Sequence, residues 1–66
     1  GPFPSPKKPN VFCIKNSRYK LIFFKTSMEW KMFDLIEDPR EEKNIFGMQI
    51  KEEKVLQEKL TKWINR

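Results

Sequence analysis

The side chains best equipped for chemistry sit together in the middle of the chain, where Glu37, Asp38, Glu41 and Glu42 form a cluster of carboxylates. Clustered carboxylates hold hard cations, move protons or cap helical turns. A calcium loop needs roughly six to eight oxygens at alternating positions and a glycine at its tight turn. The cluster has neither that spacing nor a glycine, so capping and solvated charge account for it better than a metal. The order Asp38-Pro39-Arg40-Glu41 fits a capped turn directly. Asp38 stands at the N-cap, Pro39 at the first helical position and Glu41 at the third, from which its carboxylate would reach back to the Asp38 N–H. The chain has no histidine and a single cysteine, Cys13. That excludes imidazole metal sites, Ser-His or Cys-His catalysis and an internal disulfide within it. Cys13 falls in an apolar strand pattern and reads as a buried, inert thiol. The rings of Tyr19, Trp30 and Trp63 are of the kind that stack on sugars or bases, but packing between a sheet and a helix is the simpler role. No catalytic, cofactor-binding or metal-binding residue is assigned.

The elements that must position these residues follow from periodicity. Residues 1–10 hold four prolines, two lysines and Phe3 without a period. They read as a proline-rich linker, or as a strap across a neighbour with Phe3 as its anchor. Gly1-Pro2 has the form of a tag-cleavage scar, and Pro6-Lys7-Lys8-Pro9 has the P-x-x-P form of a recognition peptide, which often arises by chance. Residues 11–14 form a first strand. Lys15-Asn16-Ser17-Arg18 forms a hairpin turn, with Asn16 in the left-handed backbone. Residues 19–25 form a second strand, with Tyr19, Leu21 and Phe23 on one face and Lys20, Ile22 and Phe24 on the other. The unbroken run from Leu21 to Phe24 predicts cover on both faces. One short helix covers a single face, so the second calls for a partner.

After a turn at Thr26-Ser27, residues 29–35 form a third strand. Trp30, Met32 and Asp34 point one way; Lys31, Phe33 and Leu35 point the other. Asp38-Pro39 ends the sheet, since proline has no N–H to donate and holds its predecessor extended. Asn44 stops the capped turn and Gly47 loosens the connection that follows. From about Ile50 the period is helical. Val55, Leu56, Leu60, Trp63 and Ile64 make one apolar stripe, and Glu52 and Glu53 suit the positive end of the helix dipole. The predicted fold is α+β: a small antiparallel sheet of about three strands in a meander, packed against one C-terminal α-helix. Acids and bases are mixed around the stripe, which argues against a membrane-surface helix. No apolar run approaches the ~20 residues of a membrane span.

Taken in order, Phe33-Asp34-Leu35, two residues, Asp38-Pro39, one residue, Glu41, two residues and Asn44-Ile45 resembles the closing segment of sulfatases, the sulfate-ester hydrolases of the alkaline phosphatase superfamily. Upstream, Arg18-Tyr19-Lys20-Leu21-Ile22 resembles the strand that precedes this tract in the family. Downstream, Leu60 and Trp63-Ile64 sit where the family's last helix often carries Leu and Trp-Leu. The resemblance divides the chain into the linker, 1–10, and a sulfatase C-terminal-like subdomain, 11–66. It implies a structural motif of Tyr19, Lys20, Leu21, Phe33, Asp34, Leu35, Asp38, Pro39, Glu41 and Asn44. It also implies Lys20 as a contact on the side of an anionic substrate. Sulfatases depend on a formylglycine made from the cysteine of Cys-x-Pro-Ser-Arg, on a divalent metal, usually calcium, and on His and Lys at the leaving group. Cys13-Ile14-Lys15-Asn16-Ser17 lacks the Pro and the Arg of that motif, so Cys13 is not that nucleophile. The catalytic groups belong to the family's large N-terminal α/β domain. The resemblance therefore implies a non-catalytic subdomain with no cofactor of its own. Formylglycine and calcium belong to the parent, and the partner is the parent's N-terminal catalytic domain, through which alone a sulfated substrate is met. Phosphate and phosphonate esters stay open as parent substrates, as does a periplasmic, secreted or lysosomal location.

Charge supplies a competing reading. Up to Lys31 there are seven basic residues against one acidic, and from Met32 onward seven against eight, within an overall net charge of +5. A basic half with interleaved aromatics fits a stand-alone module that binds nucleic acid or a sulfated polysaccharide. The lysines are spread along strands without an arginine cluster, which favours a solvated sheet face and makes nucleic acid the weaker expectation.

Overall fold

The computed structural model describes residues 5–8 and 10–65, with side chains from residue 10 onward; the Gly1-Pro2 scar and the Phe3 anchor lie outside them. Alternating apolar residues build the expected meander. Strands β2 (Val11–Lys15), β3 (Tyr19–Phe24) and β4 (Glu29–Asp34) pair antiparallel in register Cys13 to Ile22 and Leu21 to Met32. A further strand, β1 (Ser5–Lys8), adds to the outer edge of β2 within the stretch read as a linker. Proline is tolerated on an edge strand, and the register slips between Pro6 and Lys8. Helix α1 (Lys51–Ile64) follows a loop of irregular turns and packs on β2 and β3. The class is α+β, as the periodicity predicts.

The two faces of the sheet separate as the strand period requires. Ile14, Tyr19, Leu21, Phe23 and Met32 meet Leu56 and Leu60 of the helix in the main core, flanked by Phe12, Trp30, Ile45, Phe46, Ile50 and Ile64. Leu21, Met32 and Leu60 are fully buried. Aromatic contacts extend this core: Trp30 lies 4.5 Å from Phe23 and 5.9 Å from Phe46, centroid to centroid, and Trp63 meets Phe12 edge to face at 6.0 Å. Cys13, Ile22 and Phe33 form a second cluster on the opposite face, bordered by Val11, Phe24 and Leu35. All three are buried within this chain, while Val11, Phe24 and Leu35 at their border are only half-buried.

Three local expectations are corrected. Asn16 is not left-handed; its Oδ1 accepts from the N–H groups of Arg18 and Tyr19 at 2.8 and 2.7 Å, so its side chain, not its backbone, makes the turn. The left-handed position of the next turn is Met28, φ 58°. Val55 leaves the apolar stripe and is half exposed. Gly47 has φ 86°, where a Cβ would be strained, and its N–H donates to Glu53 Oε1 across the start of the helix.

Candidate functional site

The residues singled out by motif gather at one end of the sheet, where the β2–β3 turn meets the end of β4 and the loop beyond it. There Arg18, Tyr19, Asp34, Glu37, Asp38, Lys43, Ile45, Met48 and Ile50 line a cleft of about 440 Å³. Strand pairing opposes Tyr19 to Asp34, which brings the neighbouring Arg18 against the Asp34 carboxylate. Arg18 Nε and Nη2 donate to Asp34 Oδ2 at 3.1 and 2.8 Å. The guanidinium also lies 5.2 Å from the Tyr19 ring centre. Asp34 Oδ1 accepts from the N–H groups of Ile36 and Glu37 at 3.1 and 3.2 Å, turning the chain out of the sheet.

Asp38 is a cap, but of a different turn. Its carboxylate accepts from the N–H groups of Glu42 and Lys43, each at 3.0 Å, and no helical turn follows Pro39. The reason is Glu41, whose φ of 56° breaks any helical run. Glu41 does not reach back to Asp38. Its two oxygens lie 3.1 and 3.2 Å from Lys20 Nζ, across 21 positions of sequence. Lys20 is almost fully buried on the second face of the sheet, so the carboxylate answers an ammonium that water scarcely reaches. Asn44 does not adopt the left-handed backbone expected of a stop. Its Oδ1 accepts from the N–H groups of Met32 and Phe46, both at 3.0 Å, while the Ile45 N–H donates to the Met32 carbonyl at 2.8 Å. Asn44 and Ile45 thus occupy the hydrogen-bonding edge of β4 at a fully buried residue.

Two segments far apart in sequence are therefore clasped by two ion pairs, Arg18 with Asp34 and Lys20 with Glu41. The model of the family of N-sulphoglucosamine sulphohydrolase C-terminal domains matches residues 3–66. The chain belongs to this sulfatase C-terminal family. No curated protein and no solved structure matches it. The family match takes in residues 3–10 of the stretch 1–10 read as linker.

In this sulfatase C-terminal domain the apolar motif residues serve the two cores: Tyr19 and Leu21 under the helix, Phe33 and Leu35 on the second face. Pro39 is exposed in the loop. The Arg18 hydrogen bond, above all, holds the Asp34 carboxyl below the usual carboxylate range. The N–H groups of Glu42 and then Lys43 do the same for Asp38. Both groups stay ionised at neutral pH and are committed as acceptors, so neither is poised to move protons. Among the described residues no three His, Cys, Asp or Glu side chains converge to hold a metal. Trp30 and Trp63 contact rings of their own chain. Sequence reasoning missed the Arg18–Asp34 pair. Its signal was present: a cation just before one strand and an acid ending the strand that pairs with it.

Proposed function

We propose that this chain is the non-catalytic C-terminal subdomain of a sulfatase-like sulfuric-ester hydrolase, and that it packs against and supports a catalytic domain in the same parent protein. One observation carries the reading. The polar side chains by which the chain resembles sulfatases, Lys20, Asp34, Asp38, Glu41 and Asn44, are all engaged by partners within the chain. They hold a loop to a sheet; they do not surround a reacting bond. Formylglycine and calcium chemistry belongs to the catalytic domain of the parent, and sulfated substrate reaches this subdomain only through that domain. The Lys20 ammonium, already paired with Glu41, acts here as a clasp.

The test is aryl-sulfate turnover. The parent protein is expected to hydrolyse an aryl sulfate, and the 66-residue chain alone is expected to give none. Turnover by the chain alone would overturn the assignment.

A further inference from the structure

An outer strand of a sheet presents backbone groups with no ladder partner, and β4 is an outer strand here. Alternate residues of β4 bond inward to β3, and the residues between them point outward. The outward ones include Met32 and Asp34, and both are engaged. The Met32 N–H donates to Asn44 Oδ1 at 3.0 Å and its carbonyl accepts from the Ile45 N–H at 2.8 Å; the Asp34 carbonyl accepts from the Asp38 N–H at 2.7 Å. By the same alternation Trp30 is the next outward residue. Phe46 stacks on the Trp30 ring, but no hydrogen bond among the described residues reaches the outward N–H and carbonyl of Trp30. Residues 29–31 are an open edge.

The charges on this edge fit a second copy of it. Two such edges pair antiparallel about a two-fold axis through Trp30, and the two Trp30 residues exchange both backbone hydrogen bonds. The same axis sets Glu29 opposite Lys31 of the second copy, and Lys31 opposite its Glu29. Both side chains lie on the face of β4 that carries Phe33, so opposite charges meet directly across the join, twice. Cross-strand pairs of this kind favour the register, and like charges there oppose it. An edge of lysines alone would repel its own copy; this one is self-complementary. Among the described residues neither Glu29 nor Lys31 is in an ion pair; the Lys31 ammonium lies 5.4 Å from the Phe24 ring centre. The pairing is short. Beyond Lys31 the edge is taken by Asn44 and Ile45, and before Glu29 the chain turns away at Met28, φ 58°. On the helix side Met28, 69% exposed, borders a hollow of about 360 Å³ with Phe23, Trp30 and Ile64. Because Trp30 lies on the axis, two such hollows meet at the join.

We infer that residues 29–31 of β4 are a self-association edge, which joins two copies of this chain into one continuous antiparallel sheet. The inference stands apart from the proposed function. The surface is small, so the association is weak and concentration-dependent. Sedimentation equilibrium of the 66-residue chain over a dilution series tests it, with amide exchange at Trp30 as the local readout. The chain is expected to dimerise, and the Trp30 amide to exchange more slowly as concentration rises. Glu29→Lys and Lys31→Glu are each expected to raise the dimer dissociation constant roughly tenfold or more, since each replaces two attractions by two repulsions. An equimolar mixture of the two variants is expected to recover association, as a heterodimer seen by native mass spectrometry. A chain that stays monomeric at every concentration would overturn the inference and leave the edge to another domain of the parent. So would a dimer that ignores both reversals, or two reversed variants whose mixture stays dissociated.

Discussion

The Lys20–Glu41 clasp predicts an asymmetry between its two partners. The Lys20 side chain is 11% exposed and the Glu41 side chain 32%. Removing Glu41 takes a facing carboxylate from a nearly buried ammonium on the face of Ile22 and Phe33. Removing Lys20 strands a carboxylate that water still reaches. Leaving a buried charge unpaired costs about 3–5 kcal/mol in a dry interior, and exposed pairs contribute only about 0.2–1. The clasp lies between these limits. Glu41→Gln is therefore expected to cost about 2 kcal/mol. Lys20→Met is expected to cost about 1 kcal/mol or less, because methionine replaces the charge with apolar volume on an apolar face. The double variant should recover much of the larger loss, with a coupling of about 1–2 kcal/mol. In a domain this small each kcal/mol moves Tm by about 4–8 °C, so the two single variants should be separable by thermal melts as well as by urea titration followed through Trp30 and Trp63. If Lys20→Met proves the costlier change, or the coupling falls within error of zero, the clasp is a surface ion pair and the burial argument fails.

Acid should loosen the same corner. Asp34 and Asp38 titrate lower in the folded chain than in the unfolded one, so their contribution is complete above the unfolded value of about 3.9 and is lost as pH falls through the lowered values. Melts are expected to hold level from pH 7 to about 5 and then decline; Asp34→Asn should flatten that decline, and an unchanged slope would count against the assigned bonds. Asn44→Ala should deprive the buried Met32 N–H of its acceptor, at about 1–3 kcal/mol, with faster amide exchange at Met32 as the readout. Leu60→Ala removes a fully buried side chain at a cost of about 2–5 kcal/mol, enough in a small domain to abolish a cooperative melt. Met28→Asn should raise Tm by a few degrees, because an exposed methionine with φ 58° gives way to a residue that tolerates the left-handed backbone.

The fold was legible in the sequence wherever burial sets a period. Tyr19, Leu21 and Phe23 alternate with Lys20, Ile22 and Phe24, and the two sets divide between the two clusters as a period of two demands. The stripe of Leu56, Leu60 and Ile64 is equally plain, because the helix has one face to bury. Val55 misled because it borders that stripe, and only the position of the helix on β2 and β3 decides which border is wet. The loop from Asp34 to Ile45 was harder for a different reason. Asp38-Pro39-x-Glu41 is a sound local sentence for a capped helical turn, yet the chain spends Glu41 on a lysine 21 positions away. A local motif competes there with a buried charge, and an ammonium on an apolar sheet face, without a carboxylate within reach, costs more than a single residue held at positive φ. Lys20, second in an otherwise apolar strand, was thus the warning that the cap would not form as written. The order of residues in the tract is explained by the same contest: Asp34, Asp38 and Glu41 are each spaced to meet a particular donor on the sheet or in the loop, and the spacing survives only while the sheet register that presents Arg18 and Lys20 survives with it.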